Sequence, residues 1–209
     1  YILDKILKIK YEIEIFSPIF GKTLWEPLAC EKNIVYKTVK FENRLNFSFS
    51  KWADLYRKID GDVIYVNKPL LTSFVLGILK RYLEKKPLIL DIDDWEMGFL
   101  FTRLGRRGKP FPLGHFVNIF FGNLFVFMAD ELTVSNNFLK DKYGGKIIVH
   151  GRDTDTFNPK KFNKNRIKEA IGIRENKKGV SFIGTPQVYK GNEDLIEAFE
   201  GVESKSAYL

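Results

Sequence analysis

Hydrophobic positions in this chain fall in short runs between polar stretches, and the spacing within each run predicts its element. Ile2, Leu3, Ile6 and Leu7 recur at helical spacing, so the opening predicts a helix. "EIEIF" (12–16) alternates charged and apolar residues and predicts a strand, as does "IVYKTV" (34–39). "WADLYRKI" (52–59) predicts a helix, "DVIYV" (62–66) a buried strand, Leu71 to Glu84 a helix and "LILDI" (88–92) a second buried strand. Phe116 to Ala129 predicts a helix and "ELTV" (131–134) a strand. Ser135 or Asn136 then caps "NNFLKDKY", Gly144-Gly145 stops it, and "KIIVH" (146–150) is the next strand. Helix and strand alternate, and the strands are β-branched runs without a clear period of two. That pattern predicts an α/β fold: a Rossmann-like parallel sheet with helices on both faces.

The pattern changes at "GRDTDTFNPKKFNKNR" (151–166), which is rich in Asn, Asp, Lys and Pro. Beyond it come a helix (Arg166–Ile171), a strand "GVSFIG" (179–184) and a helix from Asn192 to Glu200. One strand and two helices are too little for a second two-layer core. The expected organisation is a first domain over 1–160 and the opening of a second, truncated, over 161–209.

Length and composition narrow the class. The chain has 209 residues, 44% hydrophobic and 15% aromatic, enough to bury a core without staples. Its formal charge of +8 points to anionic partners, whereas a Lys- and Glu-rich, Cys-poor composition also suits a heat-adapted protein. A single cysteine, Cys30, permits no internal disulfide and implies a reducing compartment, so the expected location is cytoplasmic. The first residues interleave charged and apolar positions, unlike a signal peptide, and the missing initial Met suggests that the true N-terminus lies upstream. "FVNIFFGNLFVFMA" is too short to cross a bilayer and is interrupted by Asn118, Gly122 and Asn123, so a buried core helix is expected ahead of an interfacial one.

In open parallel sheets, ligands bind beyond the carboxyl ends of the strands. Polar residues recur at those positions: Asn67, Lys68 and Pro69; Asp91, Asp93 and Asp94; Ser135 and Asn136; His150, Gly151 and Arg152. Four clusters at matching strand ends predict one shared cleft. Asp93, Asp94 or Glu96 could accept hydrogen bonds from sugar hydroxyls, act as a base or hold a metal. The structural alternative has Asp91 and Asp93 capping the next segment and pairing with Arg103, Arg106 or Arg107. Placement at a strand end favours function. Lys68 suits an anion and equally an ordinary Lys-Pro turn. His150 suits a polar surface role as well as catalysis, and Asp153 in "GRDTDTF" suits linked Asx turns as well as ligand contact.

Arg103, Arg106, Arg107 and Lys109 form a run without an acid, beside Phe111 and Phe116. It could meet an anionic membrane surface, grip a phosphate or remain a solvated loop. In "GTPQVYKGNEDLIEAF" (184–199), a glycine after a strand, a lysine and then Gly191 at a helix start form an anion-friendly arrangement. The spacing is not that of a P-loop. One cysteine and two histidines give no zinc spacing, and neither a Gly-x-Ser-x-Gly nucleophile motif nor a nucleic-acid-binding signature is present.

Three segments together resemble the retaining GT-B glycosyltransferases of the group 1 type: residues 62–96, 129–159 with "ADELTVSNNF…HGRDTDTFNP", and 182–199 with its Lys-Gly loop. They cover a little under half of the chain, in the family's order. The resemblance implies two Rossmann-like domains, the first binding acceptor and the second the nucleotide sugar. It implies a hexosyltransferase, with Asp93 and Asp94 as catalytic candidates and Lys68, Asp91, Ser135, His150, Gly151 and Asp153 on the acceptor side. Gly184, Thr185, Lys190 and Gly191 would contact the donor phosphates, with Lys190 neutralising the leaving diphosphate. Arg103, Arg106, Arg107 and Lys109 would touch a lipid-linked acceptor or the inner face of a membrane. No metal or cofactor is implied, the nucleotide sugar being a substrate. Thr185, Pro186 and Gln187 stand where the family often has an arginine, and His150-Gly151-Arg152 where Asn-Gly is common. The Glu-x7-Glu donor element is not among these residues, so this stretch is expected to be inactive alone, or completed by a second subunit. A non-catalytic binding module and an epimerase-like protein of the same fold are the alternatives.

Overall fold

The computed structural model describes residues 7, 9–19, 36–41, 48–104, 113–174, 176–184, 190–202 and 207–208. The chain divides into two compact units, Tyr1–Gly151 and Arg152–Leu209. The division falls at the head of the polar 151–166 stretch, ahead of the boundary expected at 160.

Unit 1 is α/β. Strands β1 (Ile15–Ile19) and β2 (Tyr36–Lys40) pair in parallel. Strands β3 (Ile64–Asn67), β4 (Leu88–Ile92), β5 (Glu131–Val134) and β6 (Lys146–Ile147) form a second parallel sheet in that order. Helices flank it, as parallel crossovers require. Helix α1 (Phe49–Lys58) precedes β3, and α2 (Leu71–Glu84) links β3 to β4. Helices α3 (Glu96–Leu104) and α4 (Leu113–Leu124), then a 3-10 turn (Val126–Met128), lead to β5; α5 (Asn137–Tyr143) leads to β6. The core centres on Leu88, Leu90 and Ile92 of β4, with Phe74, Val134 and Leu139 from the layers around it, all buried. Each such side chain contributes about 2 kcal/mol by leaving water.

Helix α2 lies close over the sheet because it carries Gly77. A Cβ there would stand 2.7 Å from Leu88 Cδ1 and 2.9 Å from Val66 Cγ2. Lys80, one turn further on, is only 3% exposed. Its ammonium donates to Glu84 Oε1 at 2.7 Å and lies 4.2 Å from the centre of the Tyr56 ring, joining α2 to α1. At the amino end of β4 and β5, Asp130 accepts from Arg81 Nε at 2.7 Å and from the Leu88 N–H at 2.9 Å. An open depression of about 340 Å³ lies there, lined by Arg81, Tyr82, Lys85, Lys86 and Pro87, at the edge away from the strand-end clusters.

The two asparagines and the glycine that interrupt the apolar run of α4 all have packing roles. Asn118 Oδ1 accepts the Thr72 N–H at 2.8 Å, capping the first turn of α2, where Leu70 offers no side-chain cap. Gly122 sits against the backbone of Pro69. Asn123 donates to Ile119 O at 2.9 Å and accepts from Tyr143 Oη at 2.6 Å, tying α4 to α5.

Some expected elements differ. The first strand is Ile15–Ile19 rather than 12–16, and the helix expected over 116–129 starts at Leu113 and gives way to the 3-10 turn after Leu124. Strand β6 stops at Ile147 rather than 150. Helix α3, whose sequence carries no interior polar stripe, was not anticipated. The opening helix lies outside the described residues except at Leu7, which is helical.

In unit 2, a 3-10 turn (Pro159–Lys161) and α6 (Lys164–Ala170) are capped by Asn158 and Asn163. Strand β7 (Lys178–Gly179) pairs in parallel with β8 (Ala207–Tyr208), and α7 (Asn192–Glu200) lies between them in sequence. The strand expected over 179–184 is confined to Lys178–Gly179. Among the described residues of this unit, none is buried. Among the described residues of the whole chain, no helix is long and apolar enough to cross a membrane.

Candidate functional site

The carboxyl edge of the four-stranded sheet gathers charge. At the end of β3, Lys68 N–H donates to Asp91 O at 2.8 Å, and Leu70 N–H donates to Lys68 O at 2.8 Å, closing a tight turn across Pro69. Lys68 takes a φ of 72°, a left-handed value that costs a lysine about 1 kcal/mol or more. The turn brings the Lys68 side chain to the end of β4. Its Nζ lies 2.7 Å from Glu96 Oε1, 3.1 Å from Asp94 Oδ2 and 3.3 Å from Asp93 Oδ1. Side-chain exposure is 29% for Lys68, 20% for Asp93, 14% for Glu96 and 46% for Asp94. Burial alone would push the Lys68 ammonium toward losing its proton. The hydrogen bonds to Glu96 and Asp94 and the charges of Glu96 and Asp93 outweigh it, so the pKa is raised and Lys68 stays a cation.

Asp93 Oδ1 is shielded from solvent, yet no donor meets it with hydrogen-bond alignment; its 3.3 Å approach to Lys68 is an ion-pair contact only. Trp95 Nε1, two residues on, is likewise shielded without an acceptor. The Trp95 ring meets Phe138 edge-on at 5.5 Å and lies under Lys142 Nζ at 4.8 Å. Gly98 in α3 makes room for it, since a Cβ there would lie 2.3 Å from the indole.

Ser135, just past β5, donates through Oγ to Asp93 O at 2.7 Å and holds the carboxylate turn. Asn136 donates to Ser135 Oγ at 3.1 Å and caps α5 through the Leu139 N–H at 3.0 Å. Asp91 is used inside the sheet: it accepts from Thr133 Oγ1, its register partner on β5. Tyr65 on β3 adjoins this pair. Burial raises its phenol pKa to about 12, the Thr133 hydrogen bond working against the shift and the Asp91 charge with it.

The structure thus brings Lys68, Asp93, Asp94 and Ser135 together, with Asp91 one layer in. His150 and Gly151 lie exposed in the loop beyond β6. Asp153 belongs to unit 2 and forms an Asx turn, accepting from Asp155 N at 3.0 Å, Thr156 N at 3.1 Å and Thr156 Oγ1 at 2.9 Å. Gly184, Lys190 and Gly191 are also in unit 2; Gly191 caps α7 with a φ of 68°, and Lys190 is exposed. Thr185, Arg106, Arg107 and Lys109 lie outside the described residues, and of Arg103 only the backbone, in α3, is described.

Sequence reasoning weighed Glu96 without choosing it, and missed Tyr65, Thr133 and Trp95. Tyr65 shares the outward side of β3 with Asn67, opposite buried Ile64 and Val66, and a phenol at that position was the available signal. Among the described residues, three carboxylates meet one ammonium here, leaving a net negative cluster. It suits donors such as hydroxyls and disfavours phosphate. Among the described residues, no group of three or more His, Cys, Asp or Glu is arranged to hold a metal ion. Where Asp93, Asp94 and Glu96 converge, the Lys68 ammonium stands in the place of a cation. No protein-family model matches the sequence, and no curated protein sequence matches it.

Proposed function

We propose that unit 1 is the acceptor side of a nucleotide-sugar-dependent hexosyltransferase of the retaining GT-B kind, and that Arg152–Leu209 belongs to its donor side. The observation that carries this reading is the Lys68–Asp93–Asp94–Glu96 cluster at the carboxyl edge of a parallel sheet. The carboxylates at this rim, Asp94 the most open at 46% side-chain exposure, suit the dense hydroxyl donors of a sugar. Asp94, the most exposed of the three carboxylates, touches the acceptor hydroxyl and draws off its proton. Lys68 and Ser135 are positioning residues that hold the carboxylate turn. Lys190 and the N-terminus of α7 face the donor diphosphate, whose charge they offset. The nucleotide sugar is substrate, and the reaction belongs to the cytoplasm, where such donors are kept.

A binding-only module is the second reading, favoured by the lack of any buried side chain among the described residues of unit 2. One experiment separates the two. The chain is incubated with radiolabelled nucleotide hexoses and a panel of soluble and lipid-linked saccharides, and saccharide binding is followed by saturation-transfer NMR. Transfer that falls about 100-fold in Asp94→Asn at unchanged Tm supports the enzyme. Binding without transfer, persisting when a donor half that carries a Glu-x7-Glu element is added, supports the module. Neither binding nor transfer across the panel overturns both.

A further inference from the structure

The amino edge of the four-stranded sheet carries charge of the other sign. The open depression of about 340 Å³ beyond the end of α2 is lined by Arg81, Tyr82, Lys85, Lys86, Pro87 and Asp130. Its one acid is already neutralised. Asp130 Oδ1 meets Arg81 Nε at 2.7 Å and Arg81 Nη2 at 2.6 Å, and Oδ2 accepts the Leu88 N–H at 2.9 Å. Those bonds pin the guanidinium, whose central carbon also lies 4.8 Å from the centre of the Tyr82 ring. A guanidinium is a fork of several N–H donors, and contacts to one carboxylate oxygen leave some of them over. The Lys86 side chain, 24% exposed, meets Asp62 at 4.0 Å, and Asp62 stands fully in solvent, where such a pair contributes little. Glu84, the other acid nearby, is held by Lys80. Lys85 meets no acid among the described residues.

We infer that this depression binds a phosphoryl dianion, as free phosphate or as the ester of a small metabolite. A pinned guanidinium with N–H donors to spare and two neighbouring ammoniums match the several oxygens and double charge of that group. A carboxylate, with one charge and two oxygens, would leave part of the set unmatched. The end of α2 offers carbonyls rather than N–H groups, so side chains must hold the anion. One of those carbonyls, Lys80 O, is taken up by the N–H groups of Lys85 and Lys86, which lessens the opposing field. Lys85 takes a φ of 60°, the left-handed cap conformation that favours glycine. A lysine held there sets an ammonium at the depression despite the backbone strain, and such strain gathers at ligand clamps. The volume lies at the small end of ligand pockets, which run from about 300 Å³ upward, and so suits a small molecule. This site stands apart from the carboxylate cluster and needs no glycosyl transfer.

Calorimetric titration of the chain tests it, at constant ionic strength with chloride making up the balance. The probes are inorganic phosphate, glucose 6-phosphate and acetate. Phosphate is expected to bind saturably with a Kd of about 1 mM or tighter and to raise the Tm, whereas acetate does neither. A sugar phosphate that binds at least about threefold more tightly than phosphate assigns the site to esters, and anything less assigns it to the free anion. Lys85→Gln with Lys86→Gln should weaken phosphate binding about tenfold while leaving the Tm of the ligand-free chain in place. Lys85→Gly supplies a second reading: it should raise the Tm of the ligand-free chain by relieving the backbone, and still weaken phosphate binding about threefold. A lysine with only a surface role would give the first change without the second. The absence of saturable phosphate binding overturns the assignment. So does acetate binding as tightly as phosphate, or a double variant with the parent's affinity, which would place the anion elsewhere.

Discussion

A Cβ built on Gly122 would lie 2.0 Å from the carbonyl oxygen of Pro69. Gly122 belongs to α4, and Pro69 is the fully buried residue that follows Lys68 in the turn ending β3. The surface helix therefore rests on the backbone of the turn that presents the site lysine. Asn118, one turn earlier in α4, caps α2 from the same side at 2.8 Å.

Gly122→Ala should therefore do more than add a methyl group. The obstructing atoms are backbone and cannot swing aside, so the helix or the turn must shift. The expected loss is about 2–3 kcal/mol, the upper part of the range for overpacking. Urea unfolding measures it, and a variant as stable as the parent would mean that α4 does not rest on this turn.

Lys68 sets two effects against each other. Its left-handed backbone is strained, whereas its ammonium neutralises Asp93, Asp94 and Glu96. Lys68→Met keeps the strain and loses the charge; the expected cost is about 1–2 kcal/mol, moderated because Asp94 is 46% exposed. Lys68→Gly loses the same charge but relieves the backbone, and should recover about 0.5–1 kcal/mol of that cost. Chemical denaturation of the pair reads the difference, and a glycine variant no more stable than the methionine one would remove strain from the account.

Stability should fall on the alkaline side. Tyr65 has its phenol pKa raised from 10.0 to about 12, and Lys68 is raised above 10.5. Both groups hold their protons more tightly folded than unfolded. Their contribution is complete below the unfolded values, and it declines as pH climbs from about 10 through the folded ones. Thermal unfolding from pH 9 to 12 should show this decline. Tyr65→Phe should flatten the part between about 10 and 12 while leaving the Lys68 part. Superimposable curves for parent and variant would show that Tyr65 titrates normally.

Much of unit 1 was legible because its strands and helices are dictated by local pattern. The β-branched runs at 64–67, 88–92 and 131–134 need no distant partner to declare themselves, and Leu71–Glu84 is bounded by a Lys-Pro turn and a lysine pair. Helix α3 was obscured because "EMGFLFTRL" joins a carboxylate cluster to a nearly unbroken apolar run and contains Gly98. That glycine reflects the Trp95 ring rather than a turn. The strand ends named Lys68, Asp93, Asp94 and Ser135 of the cluster, since register places Asn67 beside Asp91 and Asp91 beside Thr133, whereas His150 and Gly151 lie apart in the exposed loop beyond β6. The pairing itself was hidden. Lys68 reaches Glu96 across 28 positions, and the nearer arginines were the natural guess from local sequence. Asp153 went the other way, its two oxygens accepting three hydrogen bonds from Asp155 and Thr156, as an Asx turn requires.

The Lys80 ammonium is closed in by the Tyr56 ring and Glu84, while Lys85 and Lys86 sit on the open depression at the end of the same helix. An amine-acylating reagent would label the second pair at once and reach Lys80 only when α1 lifts from α2. The lag between the two is a clock for that opening, built into one helix and readable by peptide mass.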